Sequence, residues 1–130
     1  MKILLVEDEA ALADVIARNL RARANNVTIA GTAEAALLEM ASSWPDALVL
    51  DVNLPDLTGW EILRRLTLAD RARLGVVVIS AAPLSQKRID EFQPLKWLEK
   101  PFPMDVLVRL LGDVTASQRA AASAGDAEVS

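Results

Sequence analysis

Charged residues follow three of the apolar runs in this chain. Glu7 and Asp8 come after Lys2–Val6, Asp51 after Ala47–Leu50, and Lys100 after Leu95–Leu98. If each run is a strand of an open α/β sheet, these side chains gather at the carboxyl ends of the strands, where such sheets bind ligands. Carboxylates held together repel and raise one another's pKa unless a cation joins them. Mg²⁺ suits that setting, because it takes one or two carboxylates together with water and phosphate oxygens. A lysine across the same crevice adds a second positive charge for an incoming anion. The chemistry suggested is the handling of a phosphoryl group or another anion beside a divalent cation. Ser80, at the end of Val76–Ile79, adds a hydroxyl.

Each residue also has a plainer reading. Glu7, Asp8 and Glu9 could cap the following helix, where acidic side chains are favoured. Ser80 could close a turn, and Lys100 could be a solvated lysine at a strand end. Asp51 is harder to explain in this way, because the segment after it holds Pro55 and Gly59 and does not start a helix at once.

The elements that must position these residues follow from periodicity. Ile3–Val6, Val27–Ala30, Ala47–Leu50, Val76–Ile79 and Leu95–Leu98 are short apolar runs of the kind buried on both faces. Between them lie stretches with helical spacing. Residues 9–23 carry Leu12, Val15, Ile16 and Leu20, and residues 33–42 carry Ala33, Ala36, Leu37 and Met40, with Thr32 as N-cap. Residues 58–68 carry Ile62, Leu63 and Leu66, and a weaker segment over 83–92 carries Leu84, Ile89 and Phe92. The last helix carries Met104, Leu107, Val108 and Leu111, with Pro103 at its first position. Five strands alternating with five helices imply a parallel sheet covered on both faces, with right-handed crossovers. The composition of residues 115–130, rich in Ala and Ser, reads as the end of the last helix followed by a disordered tail or linker.

Bulk properties narrow the function. The chain has 130 residues, enough for one domain. No apolar run approaches the ~20 residues of a membrane span, and the N-terminus reads as a strand, not a signal peptide. Cysteine is absent, which excludes disulfides and thiolate metal sites. The cytoplasm is the expected compartment, with no membrane partner. A net charge of −4 argues against a nucleic-acid surface. The basic cluster Arg18, Arg21 and Arg23 falls late in a helix, where it complements the negative end. Histidine is absent too, so the chain supplies no imidazole base and no phosphohistidine.

Four motifs together resemble the receiver domain of two-component response regulators: Val6-Glu7-Asp8-Glu9, Asp51-Val52-Asn53-Leu54-Pro55 with Gly59, Ser80-Ala81, and Lys100-Pro101-Phe102. The resemblance runs from about Lys2 to Leu111. It implies a flavodoxin-like (βα)5 three-layer sandwich with strand order 2-1-3-4-5, the order known for flavodoxin and a chemotaxis receiver. It makes residues 1–114 the receiver domain and Asp51 the phosphoacceptor. It gives Mg²⁺ to Asp8, Asp51 and the carbonyl of Asn53, with Glu7 acting mainly through water. Lys100 would pair with the phosphoryl oxygens, and Ser80 would donate to one of them. The implied partner is a histidine kinase or a histidine phosphotransfer protein. The only chemistry implied is self-phosphorylation and self-dephosphorylation.

The family's switch resembles a relay from the hydroxyl residue to an aromatic three residues before the lysine, here Ser80 and Trp97. Most members carry Tyr or Phe there, and a buried Trp needs a partner for its indole N–H. Residues 87–96 depart from the usual pattern, with Phe92-Gln93-Pro94 in place of a Gly-Ala turn and a short span between Ser80 and Lys100. On the last helix, Val106 and Leu110 are expected to be exposed. With the helix over 83–92 and the strand at Leu95–Leu98 they outline a face for a homodimer.

Two alternatives stand beside this reading. A degenerate receiver would bind partners without phosphorylation, which the intact Asp51, Ser80 and Lys100 oppose. An aspartate-nucleophile phosphatase would resemble its family in a second aspartate two residues after the nucleophile, where this chain has Asn53. No DNA-binding segment is read in these residues, so output is expected through protein contact or from a longer regulator or hybrid kinase.

Overall fold

A computed structural model describes residues 1–93 and 95–129, with side chains described as far as Ala116; Pro94 and Ser130 lie outside the described residues. The apolar runs become β1 (Lys2–Val6), β2 (Asn26–Ala30), β3 (Ala47–Asp51), β4 (Gly75–Ser80) and β5 (Lys96–Glu99). They pair in parallel in the order β2-β1-β3-β4-β5. Strand alternation divides their side chains between two layers. Leu4, Val6, Leu48, Leu50 and Val78 face one way, while Ile3, Leu5, Val49, Val77 and Ile79 face the other.

The helices among the described residues are α1 (Ala10–Arg21), α2 (Ala33–Ser42), α3 (Gly59–Arg64), α4 (Leu68–Ala72), α5 (Gln86–Glu91) and α6 (Met104–Val129). Helices α1 and α6 cover one face through Ile16, Leu20, Leu107 and Leu111. The other face is covered by Ala36 and Met40 of α2, Ile62 and Leu63 of α3, and Phe92 just after α5. Thr32 caps α2, its hydroxyl accepting from the Ala35 N–H at 3.0 Å. The basic cluster closes the end of α1: Arg21 donates to the Val27 carbonyl at 2.9 Å and Arg23 to that of Asn19 at 2.8 Å.

Several expectations are corrected. The helix expected over residues 58–68 ends at Arg64, and a further helix that the sequence reading did not include, α4, begins at Leu68. Leu66 donates to the Leu63 carbonyl, which tightens the end of α3. Thr67 and Asp70 then form a reciprocal capping box that starts α4 in a new direction. Val15, expected on the inward stripe of α1, is 50% exposed. Val106 and Leu110, expected on the outside of the last helix, are half-buried. That helix continues to Val129, where a disordered tail was expected; the alanines that suggested low complexity are also the strongest helix formers. Among the described residues no helix is long and apolar enough to cross a membrane.

Candidate phosphoryl-transfer site

The register of the sheet brings the charged tips together. Leu50 lies beside Val6, so β1 hands on Glu7 and Asp8 next to the point where β3 ends at Asp51. Beyond β4, Ser80 pairs with Glu99, and the Lys100 N–H donates to the Ser80 carbonyl at 2.7 Å. The peptide bond between Lys100 and Pro101 is cis. From the far side of two strands, Lys100 Nζ reaches Asp51 Oδ2 at 3.0 Å and Glu7 Oε1 at 3.2 Å.

This is a nearly buried charge cluster. Glu7 is 2% exposed and Asp51 3%. Carboxylate oxygens of Glu7, Asp8 and Asp51 lie within 4.8 Å of one another, with Asp8 on the open side. Burial pushes the Glu7 carboxyl from its ordinary 4.5 up to about 7; Lys100 opposes the rise, and Asp51 adds to it. Burial pulls the Lys100 ammonium down, but its hydrogen bonds to Asp51 and Glu7 outweigh this and raise it overall.

The donor set fits a hard divalent cation. Glu7 Oε2 sits 3.0 Å from Lys100 Nζ, yet it is buried and accepts no hydrogen bond. One lysine therefore leaves the cluster short of positive charge, and a carboxylate oxygen short of a partner. Glu7, Asp8 and Asp51 could supply oxygen ligands to Mg²⁺. Capping of α1 does not account for the acids. The N-cap position, Glu9, makes no side-chain cap bond, and Glu7 is turned toward Lys100.

Asp51 is held from below. Its Oδ1 accepts from the Asn53 N–H at 2.9 Å. Asn53 forms a single bridge with Thr58, and Gly59 N–H donates to the Val52 carbonyl at 2.9 Å, so the loop folds back under the carboxylate. A Cβ on Gly59 would stand 2.5 Å from the Asp51 carbonyl oxygen, so only glycine allows this approach. Asp56 is a positioning residue that the sequence reading missed. Its carboxylate accepts from the Ala33 and Glu34 N–H groups at 2.9 and 3.0 Å, pinning the loop to the start of α2. Those two bonds hold its pKa down. The partners are 22 and 23 residues away, so no local signal marked it.

Ser80 and Trp97 are near the site but outside the charge cluster. The Ser80 hydroxyl donates to the Ala82 carbonyl at 2.6 Å, closing its own turn. Trp97 lies opposite Val78 and is half-buried against the α2–α3 face of the sheet.

The family profile described as the response regulator receiver domain matches residues 3–111. The chain belongs to that family. It is therefore a signalling protein and not a metabolic enzyme. Response regulators receive their signals from histidine kinases. Among curated relatives, the probable transcriptional regulatory protein TcrX of Mycobacterium tuberculosis is 30% identical over 95% of this chain and 56% of its own length. The response regulator MprA of Mycobacterium avium is 33% identical over 83% of this chain and 48% of its own. The chain thus spans about half the length of the curated relatives it matches.

Solved receiver structures agree in fold. The signal receiver domain of a putative LuxO repressor protein from Vibrio parahaemolyticus superposes with a TM-score of 0.84 at 22% identity, covering 95% of both chains. The receiver domain of the hybrid histidine kinase CckA gives 0.74 at 28% identity, covering 88% of this chain and 99% of that one.

Proposed function

We propose that this receiver is a phosphoacceptor in a two-component phosphorelay, taking a phosphoryl group on Asp51 from a partner histidine kinase or histidine phosphotransfer protein. The observation that carries the reading is the contact of Lys100 Nζ with Asp51 Oδ2 at 3.0 Å in a part-buried acidic cluster. An Asp51 oxygen attacks the phosphorus of a phosphohistidine, the new O–P bond forms, and the P–N bond to the donor breaks. The histidine belongs to the partner, because this chain has none.

Phosphoryl transfer depends chiefly on positioning and charge neutralisation. The Asn53 N–H orients the Asp51 carboxylate, and Lys100 offsets charge on the transferred oxygens. Glu7, Asp8, Asp51 and the Asn53 carbonyl would hold Mg²⁺, which when bound neutralises further negative charge. Ser80 donates to a phosphoryl oxygen only after its hydroxyl leaves the Ala82 carbonyl, and Trp97 is the aromatic that follows this change.

The same reading assigns residues 1–114 to the receiver and the rest of α6 to a linker, with the protein at work in the cytoplasm. It includes self-association through α5, the open edge of β5 and α6. Sedimentation that finds a monomer with and without a phosphoryl mimic removes the self-association.

The main test is intact-mass spectrometry after incubation with Mg²⁺ and acetyl phosphate. Wild type gains one phosphoryl group, and Asp51→Ala gains none. No gain in wild type, or an equal gain in the variant, overturns the proposal.

A further inference from the structure

A second pocket lies at the opposite end of the sheet from Asp51. It has a volume of about 310 Å³ and opens between α3, α4, the start of β4 and the start of β5. That is room for roughly ten water-sized groups, at the lower end of the range for small-molecule sites. It lies just past the end of α5. The helix has 6 residues and stops at Glu91, and Phe92 then turns inward onto Trp60, with ring centroids 5.2 Å apart. The turn leaves the ground between Phe92 and α4 uncovered.

The chemistry of the walls is two-sided. Leu63, Leu74 and Phe92 line the pocket and are buried. Leu68, also in the lining, is 83% exposed, the highest value among the exposed large hydrophobic residues. Two cations complete the lining, Arg71 and Lys96, and no acidic side chain lies among the described lining residues. Nearby arginines are spoken for: Arg64 pairs with Glu61 and Glu91, Arg73 with Asp70, and Arg88 with Glu91. Arg71 and Lys96 form no ion pair among the described residues, in a chain whose net charge is −4. Arg71 is also fixed in place. Its Nη2 donates to the Phe92 carbonyl at 3.1 Å, and its guanidinium stands 5.3 Å from the centre of the Phe92 ring.

We propose that this pocket binds a small amphiphilic carboxylate, its apolar body against Leu63, Leu74 and Phe92 and its anionic head on Arg71 and Lys96. A neutral apolar molecule would leave both cations unanswered, and a fully polar anion would gain nothing from the walls. The site is separate from the Asp51 pocket and does not depend on phosphorylation.

The test uses the full chain with octanoate and octanol as paired probes, read by amide chemical shifts and by the emission of Trp60, which stacks on a wall residue. Octanoate is expected to bind saturably, with shifts centred on Leu68, Ala72 and Lys96, and octanol about 10-fold more weakly, as expected for one lost charge-assisted contact. Lys96→Gln weakens octanoate and leaves octanol unchanged, and Arg71→Gln, which also frees the Phe92 carbonyl, weakens octanoate more than octanol. Ala72→Trp fills the pocket and abolishes both; if that variant misfolds, the two charge variants decide alone. Equal affinity for octanoate and octanol, shifts scattered over the surface, or an Arg71→Gln, Lys96→Gln double variant that binds octanoate like wild type would each overturn the proposal.

Discussion

Glu7 makes the stability of the metal-free protein depend on pH in an unusual direction. Its carboxyl is 2% exposed, and burial first, then Asp51, raises it from 4.5 to about 7 against the pull of Lys100. Unfolding returns it to water and to its ordinary value. Between 4.5 and about 7, therefore, the folded chain keeps a proton that the unfolded chain has released. The favourable contribution is complete below the lower value and is lost as pH rises through the upper one. Stability should fall across the interval with a slope of up to ~1.4 kcal/mol per pH unit, reaching a total loss of ~3 kcal/mol.

Urea melts followed by far-UV dichroism, in EDTA and at closely spaced pH values across that interval, measure this slope. With no histidine in the chain, few other side chains titrate there. Glu7→Gln should flatten the slope and hold stability near the low-pH value of wild type. Millimolar Mg²⁺ should also flatten it in wild type, because a cation favours the carboxylate and metal binding then releases a proton. Stability that rises with pH in wild type, or an undiminished slope in Glu7→Gln, refutes the reasoning. The first result would mean that the buried carboxyl is ionised throughout, and the second that another group carries the slope.

Lys100→Ala leaves Glu7 and Asp51 facing each other without their shared cation. The expected loss is ~3 kcal/mol near neutral pH, smaller in acid and partly recovered by Mg²⁺, as thermal melts in each condition will report. Gly59→Ala sets a methyl group 2.5 Å from the Asp51 carbonyl oxygen and 3.0 Å from Val52 Cα. It should cost ~1–3 kcal/mol in urea melts and slow phosphorylation by acetyl phosphate. Phe92→Ala removes the ring that stacks on Trp60 and sits under Arg64 and Arg71. A loss of ~3 kcal/mol is expected, together with a red shift of tryptophan emission as Trp60 becomes wetter.

Most of the charged site could be read from the sequence because each of its residues is placed by the element just before it. A strand delivers its next residue to the sheet edge, and register then sets the neighbours. Glu7, Asp51 and Lys100 are 49 and 93 residues apart along the chain in their two contacts with the lysine, yet local patterns fixed all three positions. Side-chain direction was not legible in this way. Ser80 was located correctly on β4, but its hydroxyl answers to Ala82 two residues on, a choice that short-range turn geometry makes. Asp56 carries no local signal, because its partners stand at the start of α2.

The break between α3 and α4 was legible in principle. Thr67 and Asp70 have the spacing of a capping box, with Asp in place of the usual Glu or Gln, but the apolar series Ile62, Leu63, Leu66 runs up to it and suggests continuation. Periodicity reports which face is buried, whereas the capping bonds decide where a helix starts again, and here the two signals conflict. The break has a consequence beyond secondary structure. The restart at Thr67 sets α4 where Arg71 can bond to Phe92, while Arg64, on α3, reaches back to Glu91. Two arginines from either side of that restart thus grip the two sides of the turn that ends α5. The departure of residues 87–96 from the family pattern and the break between α3 and α4 are two halves of one packing solution.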